Sequence, residues 1–277
     1  MELGISSLGF IIEMGLSTKF ENLVDLQLNA SEACLNYAEE NGINVVELVL
    51  DPPEIFEKEN RQKIVDLVKS YSLKKQVHGP FIDVNLCSLN DIISNASAES
   101  YIETIKVSQE IGAKVITIHP GLANFLISSI REFNKIKLKH AIHKLLDFSK
   151  NSDICVCLEN MPQNDHIMTD NINIEEVLNV VDKNNLFLTY DTSHFYTCNG
   201  DVGKLWSKFH KIIRNVHIVD NFSKVTDTHP SLGTGKINFK KIFDIIASYQ
   251  YNGALIIELS SAKELSQSIE FIKKFLK

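Results

Sequence analysis

Val216–His217–Ile218–Val219–Asp220 is a short apolar run carrying a histidine and ending in an aspartate. The chain then continues through Asp227–Thr228–His229 to Gly233–Thr234–Gly235. Imidazoles and carboxylates packed this closely at the end of an apolar run suit a divalent metal better than a core, where unpaired charge is costly. Five other apolar runs finish in the same way, at Val77–His78, Ile118–His119, Leu158–Glu159, Tyr190–Asp191 and Ile257–Glu258. Such ends carry chemistry only if the fold gathers them.

The spacing between the runs predicts that it does. Residues 3–6, 45–50, 75–78, 115–119, 155–159, 187–191, 215–219 and 254–258 are rich in Val and Ile with little polar alternation, as strands buried on both faces are. Helical stretches are predicted between them at 30–41, 60–71, 98–111, 129–150, 174–182, 202–211, 239–249 and 263–275. In the third, Tyr101, Ile105, Val107, Ser108 and Ile111 share a face, and Gly112 closes the helix. Gly42 and Gly253 precede strands in the same manner. Eight alternating strand–helix units imply a parallel sheet closed into a (β/α)8 TIM barrel of the α/β class. No linker or charge block divides the chain, so a single domain over residues 1–277 is expected. In this fold the active site lies at the C-terminal ends of the strands. Residues 192–200 and 221–238 are the most polar of the loops there.

Composition narrows the partners. The 277 residues are 44% hydrophobic and 23% charged, ordinary for a soluble globular protein. A net charge of −7 with only three arginines, Arg61, Arg131 and Arg214, disfavours broad phosphate-backbone binding. A neutral or small anionic substrate fits better. Five cysteines without a CxxC pair suggest a reducing, cytoplasmic setting. No secretory signal core precedes the first strand, and no apolar run approaches the roughly 18 residues of a membrane helix. Oligomeric state is left open.

Nine side chains are the candidate metal ligands: His78, His119, Glu159, Asp191, His194, His217, Asp227, His229 and Glu258. Mixed imidazole and carboxylate donors suit Zn, Mn, Co or Fe ions, whereas Mg and Ca prefer oxygen alone. Nine ligands exceed the needs of one ion, and Glu159, Asp191 or Glu258 could bridge two. His140, His143 and His210, on helices, and His166, in a loop, are expected to be ordinary. Phe81, Phe195, Tyr196 and Phe222 either wall the pocket or pack. Pro80, Pro120 and Pro230 are expected to stiffen the mouth. The glycines of Leu232–Gly233–Thr234–Gly235–Lys236 either cradle an anion or form a turn needing positive φ.

His78–Gly79–Pro80–Phe81, His119–Pro120–Gly121, Leu158–Glu159–Asn160, Asp191–Thr192–Ser193–His194, His217, Asp227–Thr228–His229, Gly233–Thr234–Gly235 and Glu258 together resemble the xylose isomerase-like TIM-barrel superfamily over nearly the whole chain. That superfamily holds both sugar or sugar-phosphate isomerases and epimerases and the endonuclease IV (AP endonuclease family 2) enzymes. Resemblance to the epimerase branch implies one ion, often Mn or Co, held by Glu159, Asp191, His217 and Glu258, with the two glutamates as a catalytic acid–base pair on a small sugar. Resemblance to the endonuclease IV branch implies three Zn ions on all nine ligands and abasic DNA as substrate.

Departures from endonuclease IV concern DNA. The loop after strand two, Asp51–Pro52–Pro53–Glu54, is acidic and lacks the Arg of the repair enzymes. Thr228 stands where they usually carry Arg, and Leu259–Ser260 replaces their Thr-Pro. The run from Gly233 to Glu258, with Tyr251–Asn252–Gly253 before the last strand, looks more like the epimerase branch. The expectation is therefore an isomerase or epimerase with one to three divalent ions per chain, and an endonuclease IV-like phosphodiesterase as the alternative.

Overall fold

A computed structural model describes residues 1–17, 20–51 and 53–276. The apolar runs become eight parallel strands that close into a barrel in chain order. They are β1 (Glu2–Ser6), β2 (Val45–Val49), β3 (Lys74–His78), β4 (Val115–Ile118), β5 (Cys155–Glu159), β6 (Phe187–Asp191), β7 (Ile213–Ile218) and β8 (Ala254–Ile257). β8 pairs with β1, so the sheet has no free edge. Helices α1 (Leu8–Ser17), α2 (Leu23–Glu40), α3 (Lys58–Lys69), α4 (Asp91–Ile111), α5 (Arg131–Ser149), α6 (Asn171–Val181), α7 (Thr192–Thr197), α8 (Val202–Phe209), α9 (Phe239–Ser248) and α10 (Leu265–Ile272) run between and after the strands. Among the described residues, no helix is long and apolar enough to cross a membrane.

Four helices depart from the sequence pattern. α1 follows β1 almost directly, in an apolar segment with two glycines. α2 starts at Leu23 rather than 30, where the Asn22 side chain accepts from Asp25 N and caps it. α4 starts at Asp91 rather than 98, because the Asn90 side chain accepts from Ile92 N and caps it. Residues 192–197, expected as loop, form α7, whose N-cap is Asp191. Gly112 ends α4 at φ 76° and Gly42 follows α2 at φ 65°, both left-handed as expected. Gly253 is not left-handed. A Cβ there would lie 2.3 Å from the Tyr251 hydroxyl, so close approach explains that glycine. Pro52, within the acidic strand-two loop, lies outside the described residues.

The barrel interior changes character from bottom to top. Its floor is a small apolar cluster of Val45, Ala254 and Ile256. Gly4 belongs there: a Cβ on it would meet Ile256 Cδ1 at 2.5 Å. Above the floor sit buried polar side chains, Glu47, Thr117, Thr189 and Asn215. Thr117 Oγ1 and Thr189 Oγ1 meet across the barrel at 2.9 Å. Between β6 and β7 the register shifts, with Leu188 opposite Ile213 but Thr189 opposite Asn215. Arg214 is the extra residue. This bulge re-phases β7, so Asn215 and His217 line up with the inward Thr189 and Asp191.

A candidate metal centre at the barrel mouth

Glu159, the last residue of β5, is the hub. Its Oε2 lies 2.9 Å from His119 Nε2 and 3.4 Å from His78 Nε2, while its Oε1 lies 2.8 Å from His217 Nδ1. Asp191 Oδ2 and Glu258 Oε2 stand 3.9 and 3.8 Å from the same His217 Nδ1. Asp191 also accepts from His194 N at 2.6 Å as the cap of α7. That cap turns the chain so that one helical turn presents both residues inward. Nearer solvent, Asp227 Oδ2 lies 2.7 Å from His229 Nε2 and 3.2 Å from His194 Nε2, and His229 Nδ1 lies 3.5 Å from Glu258 Oε1. All nine candidates therefore meet, in adjoining groups whose donor atoms lie within 4.8 Å of one another: His78, His119 and Glu159; Glu159, Asp191 and His217; His194, Asp227 and His229. Glu258 joins through His217.

Electrostatics follow from this crowding. Burial opposes charge on His78, but the Glu159 carboxylate beside it overrides that and lifts its pKa to about 9. His217 and His194 are likewise raised well above the ordinary value, against burial, by Glu47 and Glu159 and by Asp191 and Asp227 respectively. Burial also disfavours ionised Glu159, yet His217, His119 and His78 hold it well below the carboxylate range. Burial dominates for Asp191, pushing it up to about 7. Protons on His78, His194 and His217 thus balance the carboxylates, whereas burial holds His119 below its ordinary value. Among the described residues, Asp191 Oδ2, Glu258 Oε2 and His229 Nδ1 are buried without a hydrogen-bond partner. Buried polar atoms are rarely left so. Lone pairs converging from this donor set fit Zn or a similar divalent ion, with ligands spread over one to three sites.

The remaining expectations divide. His143 Nε2 contacts Val181 O at 2.6 Å and His210 Nδ1 contacts Trp206 O at 3.0 Å, so both are ordinary. His140 lies on α5, and His166 adopts φ 59° in a loop. Phe81 walls the site, its ring 5.4 Å from that of His78. Phe195 does not: it is 1% exposed and packs on Tyr190. Tyr196 carries Lys224 over its ring, and Phe222 is exposed. Thr228 donates to Asn221 Oδ1 at 2.8 Å, which ties it to its own loop. The glycine loop is a turn. Asp220 Oδ2 accepts from Gly233 N and Gly235 N at 2.9 and 2.8 Å, and its Oδ1 from Ile237 N at 3.2 Å, so these amides already hold an internal anion. Gly233 has φ 84°, and a Cβ on Gly235 would sit 2.2 Å from Asp220 Oδ1.

Sequence reasoning passed over Glu47. It lies mid-strand in β2, fully buried, with Oε1 2.9 Å from His217 Nε2. A lone carboxylate inside Val45–Val46–Glu47–Leu48–Val49 was the available signal.

A family model described as xylose isomerase-like TIM barrel matches residues 35–275. The chain belongs to the xylose isomerase-like TIM barrel family. Probable endonuclease 4 of Mycobacterium leprae is 23% identical, covering 86% of this chain and 92% of its own length. Among solved structures, a D-tagatose 3-epimerase-like protein superposes with a TM-score of 0.82 at 23% identity, covering 100% of this chain and 97% of the other. The IOLI protein, solved with a binding zinc atom, gives 0.74 at 16% identity, with 100% and 96% covered. At these identities the structural likeness establishes the shared barrel.

Proposed function

We propose that the chain is a divalent-metal-dependent isomerase or epimerase of a small sugar or sugar phosphate, with Glu159, Asp191, His217 and Glu258 as the metal ligands. The observation that carries this reading is the depth of those four side chains, none more than 7% exposed, together with the unpartnered Asp191 Oδ2 and Glu258 Oε2 facing His217. Side chains this deep are more readily met by a small polyol than by a polymer. A duplex would have to extrude a nucleotide to reach them, at a few kcal/mol, and a chain of net charge −7 offers little backbone attraction in return. The epimerase-like structural neighbour supports the same choice, and the zinc-bound one supports a metal at the barrel mouth.

A bound divalent ion would polarise the sugar's carbonyl and hydroxyl oxygens and offset the clustered negative charge. The chain's own work is proton transfer. One glutamate takes a proton from carbon and the other returns one from the opposite face. Glu258 Oε2 has no hydrogen-bond partner, so it is the freer of the two to approach substrate. Glu159 has both oxygens against imidazoles. Phe81, beside His78 and His119, supplies an apolar wall.

One observation favours an endonuclease IV-like phosphodiesterase instead: the outer group of His194, Asp227 and His229 is fully assembled. Against it, the Asp51 carboxylate accepts from Phe81 N and Ile82 N, which sets an acid beside the loop that would press on DNA. Parallel assays decide. Metal-loaded protein is expected to epimerise a member of a ketopentose, ketohexose and sugar-phosphate panel and to leave an abasic-site oligonucleotide intact. Nicking of the oligonucleotide with no turnover of any sugar would reverse the assignment.

A further inference from the structure

Glu47 is a buried carboxylate that the proton transfer does not use. Taking a carboxylate out of water is unfavourable unless its oxygens are matched, and only half of that is evident here. Its Oε2 accepts from Asn215 Nδ2 at 2.7 Å. Its Oε1 is without a hydrogen-bond partner among the described residues, yet it lies 2.9 Å from His217 Nε2. Asn215 Nδ2 has its other hydrogen for Thr117 Oγ1, 3.2 Å away, so Nε2 does not depend on the amide that stands 3.1 Å from it.

His217 has two ring nitrogens and two different neighbourhoods. Nδ1 faces Glu159, Asp191 and Glu258; Nε2 faces Glu47. A neutral imidazole can offer a lone pair at Nδ1 only with its proton on Nε2. That proton needs an acceptor, and Glu47 Oε1 is the unmatched one in reach.

We propose that Glu47 is a positioning residue for the centre: it accepts a hydrogen bond from the Nε2–H of His217, fixes the tautomer that turns the Nδ1 lone pair to the metal, and makes the ring a stronger donor. Carboxylates behind ligating histidines act in this way. The inference rests on the assignment of His217 as a metal ligand. Placement in β2 suits the role. Glu47 pairs in register with Ser6 and Gln76 in the closed barrel, so its backbone cannot drift.

The test uses the full chain, 15N-histidine-labelled, with zinc as the probe. Glu47→Gln keeps the shape, and the unpartnered Asn215 Oδ1 lets that amide turn to meet the new one. Glu47→Leu removes the acceptor. Zinc affinity is read by competition with a chromophoric chelator, the His217 tautomer by long-range 15N–1H correlation, and folding by the melting temperature in chelator. The expected result is wild-type zinc binding with the proton on Nε2, affinity lowered about 10-fold in E47Q and up to about 100-fold in E47L, the range seen for such outer partners. Metal-free E47Q should still melt cooperatively, at a lower temperature than wild type because it loses the buried Glu47–His217 pair. If E47L does not fold, E47Q decides. Wild-type affinity and an unchanged His217 resonance pattern in E47Q, and in E47L where it folds, overturn the role of Glu47 while leaving the metal centre standing. A wild type that binds no zinc, or one matched by His217→Ala, overturns the metal centre and this inference with it.

Discussion

Asn160 and Asp191 are joined by two hydrogen bonds. Asn160 Nδ2 donates to Asp191 O at 3.0 Å, and Asp191 N donates to Asn160 Oδ1 at 2.9 Å. The Asn160 backbone oxygen also contacts His194 Nδ1 at 2.9 Å, which leaves His194 Nε2 for Asp227. One residue after Glu159 therefore sets the aim of two neighbouring candidates. Asn160→Ala should destabilise the fold by about 1–3 kcal/mol, the usual cost of orphaning buried hydrogen-bond partners, and weaken metal binding. Chemical denaturation and chelator competition measure both. Unchanged metal affinity would show that Asp191 holds its place without Asn160.

The Asp220 carboxylate organises the loop that ends in Gly233–Thr234–Gly235. Asp220→Ala leaves the amides of Gly233, Gly235 and Ile237 without their acceptor, at about 1–3 kcal/mol for each that water cannot reach. Gly235→Ala should be destabilising too, because its Cβ would clash with Asp220 Oδ1. Thermal melts check both. Inorganic phosphate should not stabilise the wild type through this loop, since its amides are already engaged.

Charge in the metal-free centre gives a pH prediction. His78 is raised from 6.5 to about 9 by Glu159 against the effect of burial, so the folded state keeps a proton that the unfolded state loses. Its contribution to stability is full below pH 6.5 and is lost as pH rises through 9. His194 and His217 shift in the same direction. The melting temperature of metal-free protein should therefore fall as pH rises from 6.5 to about 9. Zinc-loaded protein should not show that fall, because ligating imidazoles carry no exchangeable charge there. Zinc binding at pH 7 should release protons, visible as a calorimetric heat that varies with buffer ionisation enthalpy.

The outer group separates the two chemistries. His229→Ala removes a partner of Asp227 and Glu258. Proton exchange on sugar should fall by less than about 10-fold, because general acid–base groups carry about 10²–10⁴-fold of such rates and both glutamates remain. Bound zinc should drop if the wild type holds more than one ion. A loss of all activity would assign the outer group an essential part.

Much of this architecture was legible locally. An apolar run with a polar end needs no long-range information, so the eight strands and the convergence of the nine candidates could be anticipated from sequence alone. Most of what escaped depends on partners distant in sequence. The bulge at Arg214 shows only when β7 lies against β6. Glu47 reads as an oddity within a strand until His217, 170 positions later, stands beside it. The glycine loop admitted two readings because its anion, Asp220, comes from the end of β7. α7 is six residues long and exists because Asp191 caps it, a signal that propensity does not carry.

Deuterium exchange tests the central assignment most directly. Wild type and Glu258→Gln, each loaded with zinc or manganese, are incubated with the sugar panel in deuterated water, and loss of C–H signal is followed by NMR. Solvent deuterium is expected at a hydroxyl-bearing carbon next to the carbonyl of at least one sugar, with the rate in E258Q reduced by about 10²-fold or more. Absence of deuterium from every sugar, or exchange by E258Q at the wild-type rate, would contradict the assignment.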